Sequence, residues 1–278
     1  MAKKGGLVIT LAVSQPELTD SVVSLLEARL TNYGAKNTYV SIAADGQIQA
    51  QVPGVTEEED AEIVRRLLIS RGELEIWETY NLSELLSALT ALNATDSIFT
   101  ILHPYINDDG TPARGPMAGL VLFDAKDAVT AELTSPAAQA LLPTDVRFRW
   151  SSSVVSYEYA ELIALKARDG KAAFTGECLT DVETMDTKDC PYPNISMVMG
   201  DADPWEKFTG ENVGRSIAFV VDGVVYSYPM VVAAIPGGKS QISGNMTYEE
   251  AAALAAIIKF GPLPCEINMV EENIVNPK

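Results

Sequence analysis

Residues 38–59 read TYVSIAADGQIQAQVPGVTEEE, and this stretch indicates how the first part of the chain folds. Two short runs flank the dipeptide Asp45-Gly46, which is a strong signal for a two-residue turn between antiparallel strands. The second run, 47–52, alternates strictly between glutamine and apolar residues, so one face of its strand should be buried and the other wet. Thr56 and Glu59 fit a capping box, which predicts that a helix follows.

The segments on either side of this hairpin complete a known order of elements. An apolar run over 7–13 predicts a buried strand, and the amphipathic helix after it ends at Gly34. Beyond the hairpin, the second helix ends at Gly72, and another strand begins near Leu74. The order is βαββαβ, which is the ferredoxin-like arrangement.

The same order recurs in the last third of the chain. Its parts are a strand over 195–199, a helix capped by Asp203, a hairpin around Asp222-Gly223, a helix opened by the capping box of Thr247 and Glu250, and a last strand near Ile267. The sequence therefore predicts an α+β protein whose base is a duplicated ferredoxin-like fold.

The middle of the chain interrupts this repeat, and we interpret it as an inserted α+β head domain. The predicted borders give the first half of the base to 1–80, the head to 81–170 and the second half of the base to 171–278. The two connections, at Tyr80 and at Asp169-Gly170, would together form a hinge between head and base.

Composition and charge exclude several classes of function. The 278 residues are 47% hydrophobic and 21% charged, which is ordinary for a globular protein. A net charge of −18 disfavours nucleic acid and anionic membrane surfaces as partners. The sequence contains neither an apolar run of about 18 residues, the usual minimum for a membrane span, nor a signal peptide.

The sequence offers little catalytic or metal-binding chemistry. His103 is the single histidine, so any Ser-His-Asp or Cys-His mechanism would have to use it, and an ordinary surface histidine is the simpler interpretation. The Asp108-Asp109-Gly110 tract lacks the twelve-residue loop and terminal glutamate of an EF-hand. We therefore predict no catalytic residue, no cofactor and no metal site.

The three cysteines leave two possibilities open. Cys178 and Cys190 could form a disulfide across a loop in an oxidising compartment, or they and Cys265 could be unpaired thiols.

Several short motifs, in order and at matching spacing, resemble the first periplasmic domain of SecD and of the fused SecDF protein. They are Lys4–Leu7, Pro53–Val55, Leu74–Tyr80, Glu211–Arg215, Asp222-Gly223, Tyr228-Pro229, Gln241–Asn245, Lys259–Pro264 and Val270–Glu272. Val52 stands where the family has a leucine, and only Arg29 remains of an arginine-rich helix end. The resemblance covers the predicted base well, whereas residues 81–170 show little that is specific.

The resemblance implies a role in protein export and no enzymatic activity. A SecD domain would lie on the periplasmic side of the bacterial inner membrane and would touch the membrane only through flanking helices outside this fragment. It would assist late, proton-gradient-driven translocation through movement of head against base. The implied partners are unfolded exported polypeptide, the Sec translocation channel and SecF, in the same chain or a separate one.

Exposed aromatic side chains of the middle region are the candidates for contact with unfolded polypeptide. They are Phe99, Tyr105, Phe123, Phe148, Trp150 and Tyr157, with Tyr159 nearby in the chain. We expect most of these aromatics to lie in a core and a minority to line a groove.

Two other interpretations remain open from the sequence. Paired ferredoxin-like sheets also suit a ligand-binding regulatory protein, which would have a defined pocket with convergent polar groups. A hydrolase would depend on His103 together with a serine or a carboxylate. The oligomeric state is not indicated.

Overall fold

The computed structural model describes residues 5–156, 158–185, 193–244 and 246–277, in which helices and sheets are mixed. The chain forms two compact units, each assembled from separate stretches. Unit 1 comprises Met1–Glu73, Leu179–Val198 and Asn245–Lys278, and unit 2 comprises Leu74–Cys178 and Met199–Gly244. These borders differ from those predicted at 80/81 and 170/171, and the assignment of those stretches to base and head stays a prediction.

The described residues form the following elements. The helices are α1 (Thr19–Tyr33), α2 (Glu58–Ile69), α3 (Leu82–Asp96), α4 (Lys126–Leu133), α5 (Pro136–Leu141), α6 (Ala202–Glu211) and α7 (Tyr248–Phe260). The strands are β1 (Gly6–Val13), β2 (Tyr39–Ile42), β3 (Ile48–Pro53), β4 (Leu74–Thr79), β5 (Leu102–His103), β6 (Met117–Leu122), β7 (Val146–Ser156), β8 (Tyr159–Lys166), β9 (Phe174–Thr175), β10 (Leu179–Met185), β11 (Asn194–Met199), β12 (Ile217–Val221), β13 (Val224–Ser227), β14 (Lys239–Ser243) and β15 (Ile267–Val275).

Unit 1 contains a four-stranded sheet in the order β15-β1-β3-β2. The predicted hairpin is confirmed, because β2 and β3 pair as antiparallel neighbours around the Asp45-Gly46 turn. The predicted alternation is confirmed as well: Ile48, Ala50 and Val52 are buried, while the glutamines between them are only half-buried. The apolar faces of α1, α2 and α7 complete this core.

The duplication of the ferredoxin-like fold is not confirmed. The predicted scheme closes the first sheet with β4, but β15 occupies the position beside β1, from Gly6↔Val275 to Val13↔Ile267. Strand β4 lies instead in unit 2, where it pairs with β12. Burial explains why β15, and not β4, pairs with β1. Five of the six β4 residues are buried, which is typical of a strand in the interior of a wide sheet. Strand β15 is largely exposed, which is typical of an edge strand.

The predicted helix starts are partly right. Thr247 and Glu250 form the expected reciprocal capping box at α7. The box of Thr56 and Glu59 is wrong, because α2 begins at Glu58 and the Thr56 methyl group packs beside Gly5. The cap of α6 is Asp201 and not Asp203, since the Asp201 carboxylate accepts the bond from the Asp203 backbone N–H.

Unit 2 is organised around an eight-stranded sheet in the order β5-β6-β8-β7-β13-β12-β4-β9. Strand β4 also pairs with β8, so β4, β8, β7, β13 and β12 follow one another in a closed ring. The apolar interior of this ring includes Trp77, Ile163, Val220 and Val225. A second core lies where α3, α4 and α5 pack against β6, β7 and β8.

The buried side chain of Arg29 joins three helix ends within unit 1. Its guanidinium donates hydrogen bonds from α1 to the carbonyls of Leu67, Ser70 and Arg71 at the end of α2. It also donates to the carbonyl of Gly261, the C-cap of α7, at 2.8 Å. The carbonyls at helix C-termini have no partner within their own helix and carry partial negative charge, so a buried cation suits them.

We predict that Arg29→Met destabilises the protein by about 3 kcal/mol, because several buried carbonyls lose their donor at once. The measurement is the free energy of unfolding from urea denaturation. Arg71→Met is the matched control, since the Arg71 side chain is 58% exposed and only forms a surface ion pair with Glu73. Equal stability of the two variants would contradict the role assigned to Arg29.

Candidate functional site

Unit 2 contains an apolar groove of about 590 Å³ between β7 and the helices α4 and α5. Its walls are formed by Thr130, Leu133, Thr134, Gln139, Leu142, Pro143, Thr144, Val146, Arg147, Phe148, Arg149, Trp150 and Leu162. Two of the predicted polypeptide-binding residues, Phe148 and Trp150, therefore lie in one groove.

The local sequence explains how the groove is built. In a strand, alternate residues share a face, so Val146, Phe148 and Trp150 lie together against the second core. The opposite wall begins with the turn from α4 into α5, where the Ser135 hydroxyl accepts a hydrogen bond from the Ala138 N–H and Pro136 occupies the first turn. Because α4 and α5 are short, Phe148 and Trp150 remain only half-buried.

Lys126 links the groove to a third predicted residue. Its ammonium group lies 4.9 Å from the centre of the Trp150 ring and 5.5 Å from that of Phe123. Phe123 is 42% exposed, whereas Phe99 is half-buried and packs against the same core from α3's C-terminal side. The cation–π contacts hold two partly exposed rings in place at the rim of the groove.

The other predicted aromatics are placed differently. Tyr105 is 47% exposed, but it precedes the turn around Asp109 and does not line the groove. Tyr157 lies outside the described residues. Tyr159 packs edge-on against His103, an exposed side chain at the end of β5.

The predicted hinge residues all lie within unit 2. Tyr80 is only 8% exposed: its hydroxyl donates to the Asp145 carboxylate, its N–H donates to the Ala164 carbonyl, and Lys166 lies over its ring. Asp169 and Gly170 have positive φ angles of 53° and 74° in a short 3-10 turn. Movement at these positions stays a prediction.

The metal-ligand residues and the cysteines are the other chemical candidates of the sequence. Within them, no three or more His, Cys, Asp or Glu side chains are clustered so as to hold a metal ion. Cys178 is exposed and Cys265 is half-buried, while Cys190 lies outside the described residues, so the possible disulfide stays untested.

Sequence reasoning missed the two arginines of the groove. Arg147 and Arg149 alternate with Val146, Phe148 and Trp150 along β7, and the only charged side chains lining the groove are theirs. The alternating pattern VRFRW could have drawn attention to a strand with one apolar and one cationic face. The contributions of α4 and α5 could not be foreseen, because they depend on tertiary packing.

Known proteins match both the sequence and the fold. A family model described as the SecDF P1 head subdomain matches residues 154–265. SecD of Rhodothermus marinus is 29% identical over 94% of this chain and 47% of its own length. SecD of Desulfurispirillum indicum is 38% identical over 37% of this chain and 21% of its own length.

In sequence and in fold, the chain is similar to SecD and SecDF.

Solved SecDF structures show the same fold. A crystal structure of SecDF in a super-membrane-facing form matches with a TM-score of 0.53 and 21% identity, over 97% of this chain and 30% of that one. A structure of SecDF described as a membrane component that enhances protein export has a TM-score of 0.50 and 20% identity, over 95% of this chain and 98% of that one. The chain spans about half the length of the SecD protein that it matches over nearly its whole length.

Two observations bear on the predicted division into base and head and on the flanking membrane helices. The matched head-subdomain residues 154–265 overlap the predicted head only over 154–170, so the base and head borders stay a prediction. Among the described residues, no helix combines the length and apolar character needed to cross a membrane.

The buried phenol of Tyr80 makes the stability of the protein depend on pH in a predictable way. Burial, followed by the hydrogen bond to Asp145, raises the pKa of the Tyr80 phenol well above its usual value near 10. The folded state therefore holds this proton more tightly than the unfolded state does. Its stabilising contribution is complete below pH 10 and is lost as the pH rises through the folded-state pKa.

We expect Tyr80→Phe to lower the free energy of unfolding by about 1.5–3 kcal/mol at pH 7, the range for hydrogen bonds to charged groups. The deficit relative to wild type should stay constant up to about pH 9 and shrink above pH 10. Urea denaturation of both proteins at a series of pH values measures this difference in the free energy of unfolding. A deficit that does not change up to pH 11 would contradict the prediction.

Proposed function

We propose that this chain assists protein export by binding unfolded polypeptide in the groove between β7, α4 and α5. The single observation that supports this proposal is the half-buried aromatic wall formed by Phe148 and Trp150 in a chain similar to protein translocase subunits. The capture of polypeptide is a proposal about the whole SecD/SecDF-type protein, of which this chain is one part.

The groove has the physical properties that unfolded chains require. Apolar contact is non-directional, so half-buried rings can accept many different side chains without a fixed pattern of hydrogen bonds. Leu133, Leu142 and Leu162 extend the apolar surface beneath those rings. Folded proteins bury most of their large apolar side chains, and the groove should therefore discriminate against them.

The wider setting follows from the family. We infer that the domain works on the periplasmic side of the inner membrane, beside the Sec translocation channel and with SecF, either fused or separate. Residues outside this chain would use the proton gradient, and movement of a head against a duplicated ferredoxin-like base would carry the bound polypeptide. Non-enzymatic binding is sufficient for this role.

The proposal predicts selective binding of unfolded protein through Trp150. A reduced, carboxymethylated secretory protein should bind in fluorescence anisotropy, and the same protein in its folded, oxidised form should not. Trp150→Ser should weaken binding about five- to tenfold, as expected for the loss of an aromatic contact worth roughly 1 kcal/mol or more.

Tyr105→Ser is the matched control, because it removes an exposed aromatic side chain outside the groove. It should leave the affinity unchanged. Equal losses in both variants would contradict a binding site in the groove. Saturable binding of one metabolite without binding of unfolded protein would favour a ligand-binding regulatory protein.

A further inference from the structure

The groove borders a strand edge that is open over part of its length. Strand β7 pairs with β8 on one side from Val146 to Trp150. On its other side, β13 runs parallel to it and forms one residue pair, Val225↔Ser151. Because β13 begins at Val224 and runs in the same direction, none of its residues lies alongside β7 from Val146 to Phe148.

The hydrogen bonds show which backbone groups face this open edge. The N–H and carbonyl of Ala164, the β8 residue opposite Phe148, are bonded to Pro116 and Tyr80 and not to Phe148. Opposing residues in an antiparallel ladder alternate between bonded and non-bonded pairs. Phe148 therefore directs its N–H and carbonyl away from β8.

Two arginine side chains cover the carbonyls at this edge. Arg147 donates from Nη1 to the carbonyl of Val146 at 2.7 Å, and Arg149 donates from Nη1 to the carbonyl of Phe148 at 3.0 Å. Charged side chains of this kind protect strand edges from unwanted pairing. Nη1 of Arg147 also donates to the carbonyl of Thr144 at 3.1 Å. Both arginines are displaceable, because these are side-chain hydrogen bonds to exposed or partly exposed carbonyls.

Charge distinguishes this edge from the rest of the chain. The chain carries a net charge of −18, yet the charged side chains lining the groove are both arginines. Within the described residues, neither Arg147 nor Arg149 forms an ion pair with a carboxylate within 4.0 Å. The edge is thus complementary to an acidic partner.

We propose that the open edge of β7 binds an extended polypeptide segment as an added strand, and that it prefers segments in which apolar and acidic residues alternate. This inference rests on the proposed function and specifies how the groove would hold its substrate. Strand addition would place the backbone of the segment on the N–H of Phe148 and on the carbonyls of Val146 and Phe148. The N–H of Val146 already donates to the carbonyl of Pro143 at 3.1 Å.

The period of a strand explains the preferred pattern. Alternate side chains of the added segment would lie between β7 and the helices, against Leu133 and Leu142. The side chains between them would lie on the face of Arg147 and Arg149. The two guanidinium groups would then leave the carbonyls of Val146 and Phe148 and pair with carboxylates of the added segment. A segment of about three residues, roughly 10 Å long, spans the open part of the edge from Val146 to Phe148.

Three labelled nonapeptides with blocked ends test the preference in anisotropy titrations. One alternates leucine with glutamate, one alternates leucine with lysine, and one has the composition of the first with its leucines and glutamates in separate blocks. The Leu/Glu peptide should bind about tenfold more tightly than either of the others, since two exposed ion pairs contribute up to about 1 kcal/mol each. Equal affinities would overturn the proposal.

Variants of the two arginines show whether the peptide preference depends on the positive charge of these side chains or on their packing. The double substitution R147Q/R149Q should remove the preference for Leu/Glu over Leu/Lys, whereas R147K/R149K should retain it. Both variants must keep the wild-type circular dichroism spectrum and melting temperature. Retention of the full preference in a folded R147Q/R149Q protein would overturn the role of the arginines.

Hydrogen exchange tests the added strand directly. On binding of the Leu/Glu peptide, the amide of Phe148 should exchange at least about tenfold more slowly, because it gains an acceptor. The amides of Arg147 and Arg149 face β8 and serve as internal controls, with little change expected. An unchanged Phe148 amide in the saturated complex would overturn strand addition, even if unfolded protein still binds and the proposed function stands. Failure of unfolded protein to bind at all would overturn both.

Discussion

The architecture of unit 2 depends on the backbone pairing of its central strand. The six residues of β8 from Ala160 to Leu165 are all buried, which is typical of a strand with neighbours on both sides and both faces. One edge of β8 pairs with β6 and then β4, and the other pairs with β7. Because a ladder alternates inward and outward groups, this single pairing determines which backbone groups of β7 remain available. The apolar wall of the groove and the open edge are therefore both consequences of the position of β8.

In unit 1, the buried guanidinium of Arg29 connects the helix ends through hydrogen bonds. A planar group with five donors can satisfy carbonyls that converge from several directions, which neither lysine nor an apolar side chain can do. Gly72 shows how closely the chain packs around it, since a Cβ at that position would lie 2.5 Å from Nη2 of Arg29. The same glycine has a φ of +90°, a conformation that disfavours other residues. Sequence and geometry thus combine to fix the end of α2 next to the end of α7.

The groove joins two kinds of recognition that are usually considered apart. Its aromatic and aliphatic walls favour any apolar segment, whereas the strand edge with its arginines favours an extended backbone with carboxylates at every second position. If the protein binds many different unfolded chains, as we propose, contacts to the backbone are an advantage, because every polypeptide presents the same backbone. The arginines also protect the edge in the absence of substrate, which limits pairing between copies of the protein.

The sequence by itself determined the local elements and showed the resemblance to SecD and SecDF. The Asp45-Gly46 hairpin, the alternation of β3, the end of α1 at Gly34 and the cap of α7 all follow from short-range chemistry, and the structure has each of them. Only the tertiary structure decided the pairing of distant strands. Strand β15 pairs with β1, and β4 pairs with β12. The choice of partner depends on which faces are buried by residues far away in the sequence. A local sequence pattern carries no information about those distant residues. The groove was hidden for the same reason, since Leu133 and Leu142 meet Phe148 and Trp150 only after β7, α4 and α5 have packed together.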